Sequence, residues 1–170
     1  MTDVFDLDGV AVAGERETLE AFLDYYRAAV AAKLRGVSGE DARRRLVPSN
    51  TTLGGLVKHL ARVEVSWFHH RLGGIPVEDL PLLARAMADP DADFRVDPGD
   101  SPESLIALYE EQCGRSREIA AGHELDDAVP HPALGRDSLR WILVHMIEET
   151  ARHAGHADIL REQIDGSTGD

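Results

Sequence analysis

The feature that most constrains this chain is the stretch 138–164, S-L-R-W-I-L-V-H-M-I-E-E-T-A-R-H-A-G-H-A-D-I-L-R-E-Q-I. Leu139, Ile142, Leu143, Met146, Ala157, Leu160 and Ile164 recur at three- and four-residue intervals, which predicts a long amphipathic helix. Advancing about 100° per residue from Met146 brings Glu149 to roughly 60° on one side and His153 to roughly 20°. A carboxylate and an imidazole therefore fall inside the stripe that faces the core, with His145 and His156 on the Glu149 flank. Burying a carboxylate without a partner is costly, so something must compensate it. A divalent metal would.

The rest of the chain supplies partners for that helix. Residues 1–14, with Gly9 and Gly14, read as an extended arm. From Glu15, Leu19, Phe22, Leu23, Tyr26, Val30 and Leu34 keep a helical period until Gly36 stops it. Ser38 opens a short turn that Pro48 closes, and Ser49-Asn50 is read as the cap of a helix from Thr51 to about Arg71. Its stripe carries Leu53, Leu56, Val57, Leu60, Trp67 and Phe68, with Glu64 lying within it. Residues 75–100, punctuated by Pro76, Pro81, Pro90 and Pro98, read as a long irregular connection with a brief helix at 82–88; such connections are often functional. Ser101-Pro102-Glu103 opens a further helix to Gly122. Residues 123–137 read as a loop, Asp137 or Ser138 as the last cap, and 165–170 as a disordered tail. Four substantial helices and no convincing alternating strand predict an all-α four-helix bundle with long connections, in one domain spanning 1–170.

Composition narrows the function. Lys and Arg number 18 against 31 Asp and Glu, a net charge of −13. That balance argues against nucleic acid and against anionic membrane surfaces as partners. The single cysteine, Cys113, rules out an intramolecular disulfide and reads as inert. No apolar run reaches bilayer length, and the acidic N-terminus lacks an export signal, so the expected location is cytoplasmic. H-E-x-x-H, H-x-x-E-H, G-x-S-x-G and Walker-type loops are absent from the sequence.

The chemistry then rests on Glu149 and His153, which are four apart and project from one face of one helix. A third ligand should come from a neighbouring helix, and His59 is the best placed. Two nitrogens and one carboxylate leave positions for water or substrate, as in a catalytic metal site. On spacing alone, Glu149 and His153 are also read as an ion pair and His59 as structural. His145 stands between a supporting role at the metal and plain surface, His69 and His70 read as solvated near a helix end, and His123 and His131 as loop residues. Trp67, Phe68 and Trp141 read as packing residues, Trp67 also as a pocket wall.

Three segments carry a family resemblance: L-x-x-L-V-K-H-L at 53–60, V-E-V-S-W-F at 63–68 and E-E-T-A-R-H-A-G-H-A-D at 148–158. With A-R-R-R-L-V-P-S at 42–49, these resemble the DinB-like superfamily over nearly the whole chain, in particular an actinobacterial domain-of-unknown-function group. The resemblance implies a metal site at His59, Glu149 and His153. A carboxylate where many relatives have histidine is similar to the thiol-dependent maleylpyruvate isomerase branch. The resemblance further implies a mycothiol- or bacillithiol-type S-transferase with a small-molecule substrate, and a homodimer. Imidazole plus carboxylate admits zinc or nickel ahead of iron or manganese. Two other readings stay open: a metal-dependent hydrolase that activates water, and a non-catalytic, stress-associated metal-binding protein. His145 and His156 are the residues expected to support the metal, and a fourth ligand from His156 would favour the non-catalytic reading.

Overall fold

The computed structural model describes residues 9–169, so most of the predicted arm and the last tail residue lie outside the described residues. Its helices are α1 (Glu15–Leu34), α2 (Gly39–Ala42), α3 (Leu53–Glu64), α4 (Pro81–Ala88), α5 (Pro102–Ala121) and α6 (Leu139–Asp165). The four long ones form the expected bundle, with α1 lying along α6 and α3 along α5. From α6, Leu139, Ile142, Leu143, Met146 and Leu160 are all at most 2% exposed. Burying side chains of this size contributes about 1.5–3 kcal/mol each before conformational entropy is counted.

The sequence cues that end the helices act locally. Ser138 Oγ accepts from the Trp141 amide to start α6, and Gly166 at φ 78° ends it in the left-handed region. Ser101 and Ser104 form a reciprocal cap on α5. The cap of α3 corrects the sequence reading: Thr52, not Ser49-Asn50, accepts from the Gly55 amide at 3.0 Å.

Two further corrections follow from longer-range geometry. The helix read through to Arg71 is α-helical only to Glu64, and Val65–Leu72 continues as π-helix. The Gly73 amide reaches back five residues to Phe68 O at 2.8 Å. An i→i+5 ladder turns each residue less than an α-helix does, so side chains beyond Val65 drift from their α-helical faces. That drift is why His69, expected in solvent, is 0% exposed, and why His70 is half-buried. The segment read as a loop at 123–137 also contains a hairpin, β1 (Ala128–His131) paired antiparallel with β2 (Gly135–Ser138). Gly135 turns it at φ 81°, and His131 Nδ1 accepts the amides of Ala133 and Leu134. Strands of four residues, one containing Pro130, show no period for sequence reasoning to find.

The connection from α4 to α5 is pinned to α3 and so bears on function. A Cβ on Gly55 would sit 2.8 Å from Phe94 O, so glycine there lets the turn Ala92–Phe94 press against the helix. Lys58 Nζ holds the same segment by donating to Arg95 O, Asp97 and Asp100 at 3.0, 2.8 and 3.0 Å.

Candidate metal centre

His59 on α3 faces Glu149 and His153 on α6 across the bundle. His59 Nε2 and His153 Nε2 each lie 3.3 Å from the same atom, Glu149 Oε1. One donor atom from each residue falls within 4.8 Å of the others. The side chains are 12, 16 and 14% exposed for His59, Glu149 and His153, so the group sits at the bundle wall with one side reachable from solvent.

Each member is held from behind. Asp93 Oδ2 lies 3.3 Å from His59 Nδ1 and takes a bond from Arg62 Nε at 2.7 Å. Phe94 stacks on the His59 ring at 4.8 Å between centroids. With carboxylate oxygens at both ring nitrogens, a protonated His59 donates Nδ1–H to Asp93 and Nε2–H to Glu149, and Nε2 would become a ligand on losing its proton; Arg62 Nη2 also lies 3.2 Å from Nδ1. His153 directs Nε2 to Glu149, while its Nδ1 lies 3.3 Å from His156 Nδ1.

The electrostatics follow from these contacts. Hydrogen bonds from His153 and then His59 hold the Glu149 carboxyl well below the usual carboxylate range, against the opposing effect of burial. Burial pulls the His59 pKa down, but the bonds to Asp93 and Glu149 outweigh it and raise the value overall, with Arg62 opposing. For Asp93, burial pushes upward and the His59 and Arg62 bonds win, lowering it.

The donor set fits a divalent cation. Four ligands at about 2.0–2.1 Å in a tetrahedron stand about 3.3–3.4 Å apart; two of the three separations here are 3.3 Å and all lie within 4.8 Å, so a bound cation would draw the widest pair together. Two imidazole nitrogens with one carboxylate oxygen suit first-row divalent ions.

The remaining histidines separate cleanly. His156 is exposed and reaches the far nitrogen of His153, outside the three-donor group. His145 lies a turn before Glu149 among aromatic rings, 4.3 Å from Trp67 and 5.2 Å from Trp141 between centroids. Burial lowers its pKa. His69 Nε2 lies 3.2 Å from both Gln112 O and Ser116 Oγ in the core. His131 lies near Trp67 and Asp137 at the hairpin. Cys113 is 3% exposed and burial pushes its thiol well above the ordinary range, which agrees with an inert residue. Sequence reasoning missed Asp93 and Phe94. One acid among many in a proline-rich connection gives no local signal; only the long connection itself drew attention to the region.

Two surface depressions lie nearby, though neither is lined by His59, Glu149 or His153. One of about 400 Å³ is lined by Pro48, Ser49, Asn50, Thr51, Asp91 and Phe94, and one of about 360 Å³ by Val47, Ser49, Thr51, His156, Ile159 and Leu160. Each contains one ring packed against a histidine of the group, Phe94 against His59 and His156 against His153. A cavity of about 460 Å³ between α1, α5 and α6 likewise shares no residue with the group.

The model of the mycothiol-S-transferase family matches residues 18–166. The chain belongs to that family. The match covers α1 from Thr18, the other three long helices whole and the three converging side chains. A crystal structure of a conserved protein from Enterococcus faecalis shares the fold, with a TM-score of 0.57 over 92% of this chain and 100% of that one. At 17% identity it speaks to the fold alone. Among curated proteins, none matches this chain. Among the described residues, no helix is long and apolar enough to cross a membrane.

Proposed function

We propose that the chain is a metal-dependent S-transferase that joins a low-molecular-weight thiol of the mycothiol type to a small electrophile at His59, Glu149 and His153. The observation that carries the reading is the convergence of two Nε2 atoms on one carboxylate oxygen, in a chain of the mycothiol-S-transferase family. Zinc or nickel is the expected ion. A divalent cation bound there supplies positive charge that lowers the pKa of an approaching thiol. The protein's residues do the rest. Asp93 and Phe94 hold the His59 ring in place from behind, and Glu149 contributes a negative charge that keeps net charge at the site low. The thiol approaches from the solvent-facing side, where His59, Glu149 and His153 keep 12, 16 and 14% of their side chains exposed. In the transfer the thiol loses its proton to water or buffer, a carbon–sulfur bond forms, and the leaving group departs with its electron pair. No protein thiol takes part, consistent with the buried Cys113.

The experiment is to load purified protein with zinc or nickel and measure conjugation of mycothiol to an aryl chloride. The expected result is a rate that chelator abolishes and that His153→Ala lacks. Metal-dependent hydrolysis of esters or amides without thiol would replace this reading with the hydrolase. Stoichiometric metal without turnover in either assay would replace it with the non-catalytic protein.

A further inference from the structure

Three consecutive cations, Arg43, Arg44 and Arg45, stand in a chain of net charge −13, and the metal group uses none of them. The fold separates them. Arg44 lies 3.8 Å from Asp41, whereas Arg43 and Arg45 form no ion pair among the described residues. Both donate to backbone carbonyls instead. Arg43 bonds Gly39 O and Asp97 O at 2.6 and 2.9 Å, and Arg45 bonds Ser49 O and Pro48 O at 3.1 and 2.8 Å. A carbonyl orients a guanidinium without cancelling its charge, so both forks are held in place and stay positive. Arg43 Nε and Arg45 Nη1 have no protein partner among the described residues.

These two side chains meet Arg95 around a depression of about 350 Å³, beside Asn50, Phe94 and Val96. Arg95 is paired with Asp89. The acid in the lining, Asp97, is already matched by Lys58 at 2.8 Å and by Arg85 at 2.7 Å. Arg43 and Arg45 are therefore the charges left over. We propose that this depression binds the carboxylate or phosphate group of a small molecule, with the body of that molecule against Phe94 and Val96. A guanidinium fork matches either oxyanion through paired N–H bonds. Carbonyl bonds already restrict both side chains, so less conformational entropy is lost when the anion arrives. The volume suits a small ligand, and the negative charge of the chain as a whole opposes a long polyanion such as nucleic acid. Phe94 also stacks on His59, so one ring is common to this depression and to the metal group. The site stands whether or not S-transfer is the reaction.

The test is calorimetric titration of the metal-free full chain with phenyl phosphate and with benzoate at constant ionic strength, against benzamide as the neutral control. Omitting the metal removes coordination of the anion as a source of heat. Saturable 1:1 binding of at least one anion is expected, with none for benzamide. Arg45→Gln and Arg43→Gln should each weaken it about fivefold or more, through loss of a charge-assisted hydrogen bond. Arg115→Gln, which removes a cation on α5 outside the depression, should leave it unchanged. Arg43 ties distant segments together, so its variant is checked for folding by its thermal midpoint. Arg45 bonds only near neighbours in the chain, and its variant decides the matter if the other unfolds. No saturable binding, binding that Arg45→Gln does not weaken, or equal weakening by Arg115→Gln overturns the proposal. Turnover then identifies the source of the anion. If Arg45→Gln lowers the preference in kcat/KM for 4-chloro-3,5-dinitrobenzoate over 1-chloro-2,4-dinitrobenzene about fivefold, the anion belongs to the S-transfer substrate. If binding weakens while that preference holds, the site takes a separate anionic metabolite. Calorimetry without metal or thiol keeps failure of this site distinct from failure of S-transfer.

Discussion

Glu64 and Glu149 carry the same signal in the sequence, an acid set in the apolar stripe of a long helix, yet the molecule treats them in opposite ways. Glu64 is 0% exposed and receives Arg27 through two nitrogens at 2.8 and 2.6 Å. Its charge is matched by a guanidinium that cannot be displaced without unfolding the region. Glu149 instead meets two imidazoles at 3.3 Å and keeps 16% of its side chain exposed. Imidazole gives up its proton near neutrality, so that carboxylate can exchange hydrogen bonds for a cation. A permanently charged partner makes an acid structural; partners that titrate leave it available for chemistry.

The comparison can be broken most easily at Glu64. Removing one partner of a buried pair costs about 3–5 kcal/mol, so Glu64→Ala should lower unfolding stability in urea by that amount. Metal bound per folded molecule should not change. If the variant unfolds normally but loses its metal, the assignment of the two acids is reversed.

Asp93 sharpens the other side. Partners behind a ligating histidine are worth about 10- to 100-fold in metal affinity, so Asp93→Asn should weaken zinc binding by that factor in chelator competition. Unchanged affinity would reduce Asp93 to a partner of Arg62.

The pH dependence has a definite sign. A cation held by this group would need the His59 Nε2 lone pair, and the raised His59 pKa strengthens its competing proton, so affinity should begin to fall while the pH is still above about 6.5. In the metal-free protein, the raised His59 pKa gives stability that is full below about 6.5 and lost as pH rises through the folded value. The depressed Glu149 pKa gives stability present above about 4.5 and lost as pH falls through its folded value. Glu149→Gln should therefore cost the metal-free protein most between about pH 4.5 and 6.5. Equal urea midpoints for the two proteins at pH 5.5 and 8 would contradict this.

The smallest expected effect is at His156, whose contact is with the far nitrogen of His153. His156→Ala should change zinc affinity less than about threefold. A loss as large as that of Asp93→Asn would make His156 a ligand and favour a closed site.

The pattern of apolar residues was enough to give the long helices and the bundle, because a 3.6-residue period is a local property that survives in the folded state. The i, i+4 pair at 149 and 153 was legible for the same reason. His59 was legible as the best-placed partner and through family resemblance, since spacing says nothing about which side chain on another helix stands opposite. The fate of His69 was not legible, because the switch to π-helix after Glu64 depends on how the bundle packs.

By itself, then, the sequence determined the helices, their buried faces and the pairing of Glu149 with His153. Only the tertiary structure decided that Arg27 neutralises Glu64, that Asp93 and Phe94 back His59, and that Trp67 meets Trp141. Hydrophobic period is written along one helix, whereas each of these contacts joins residues that chain folding alone brings within a few ångströms.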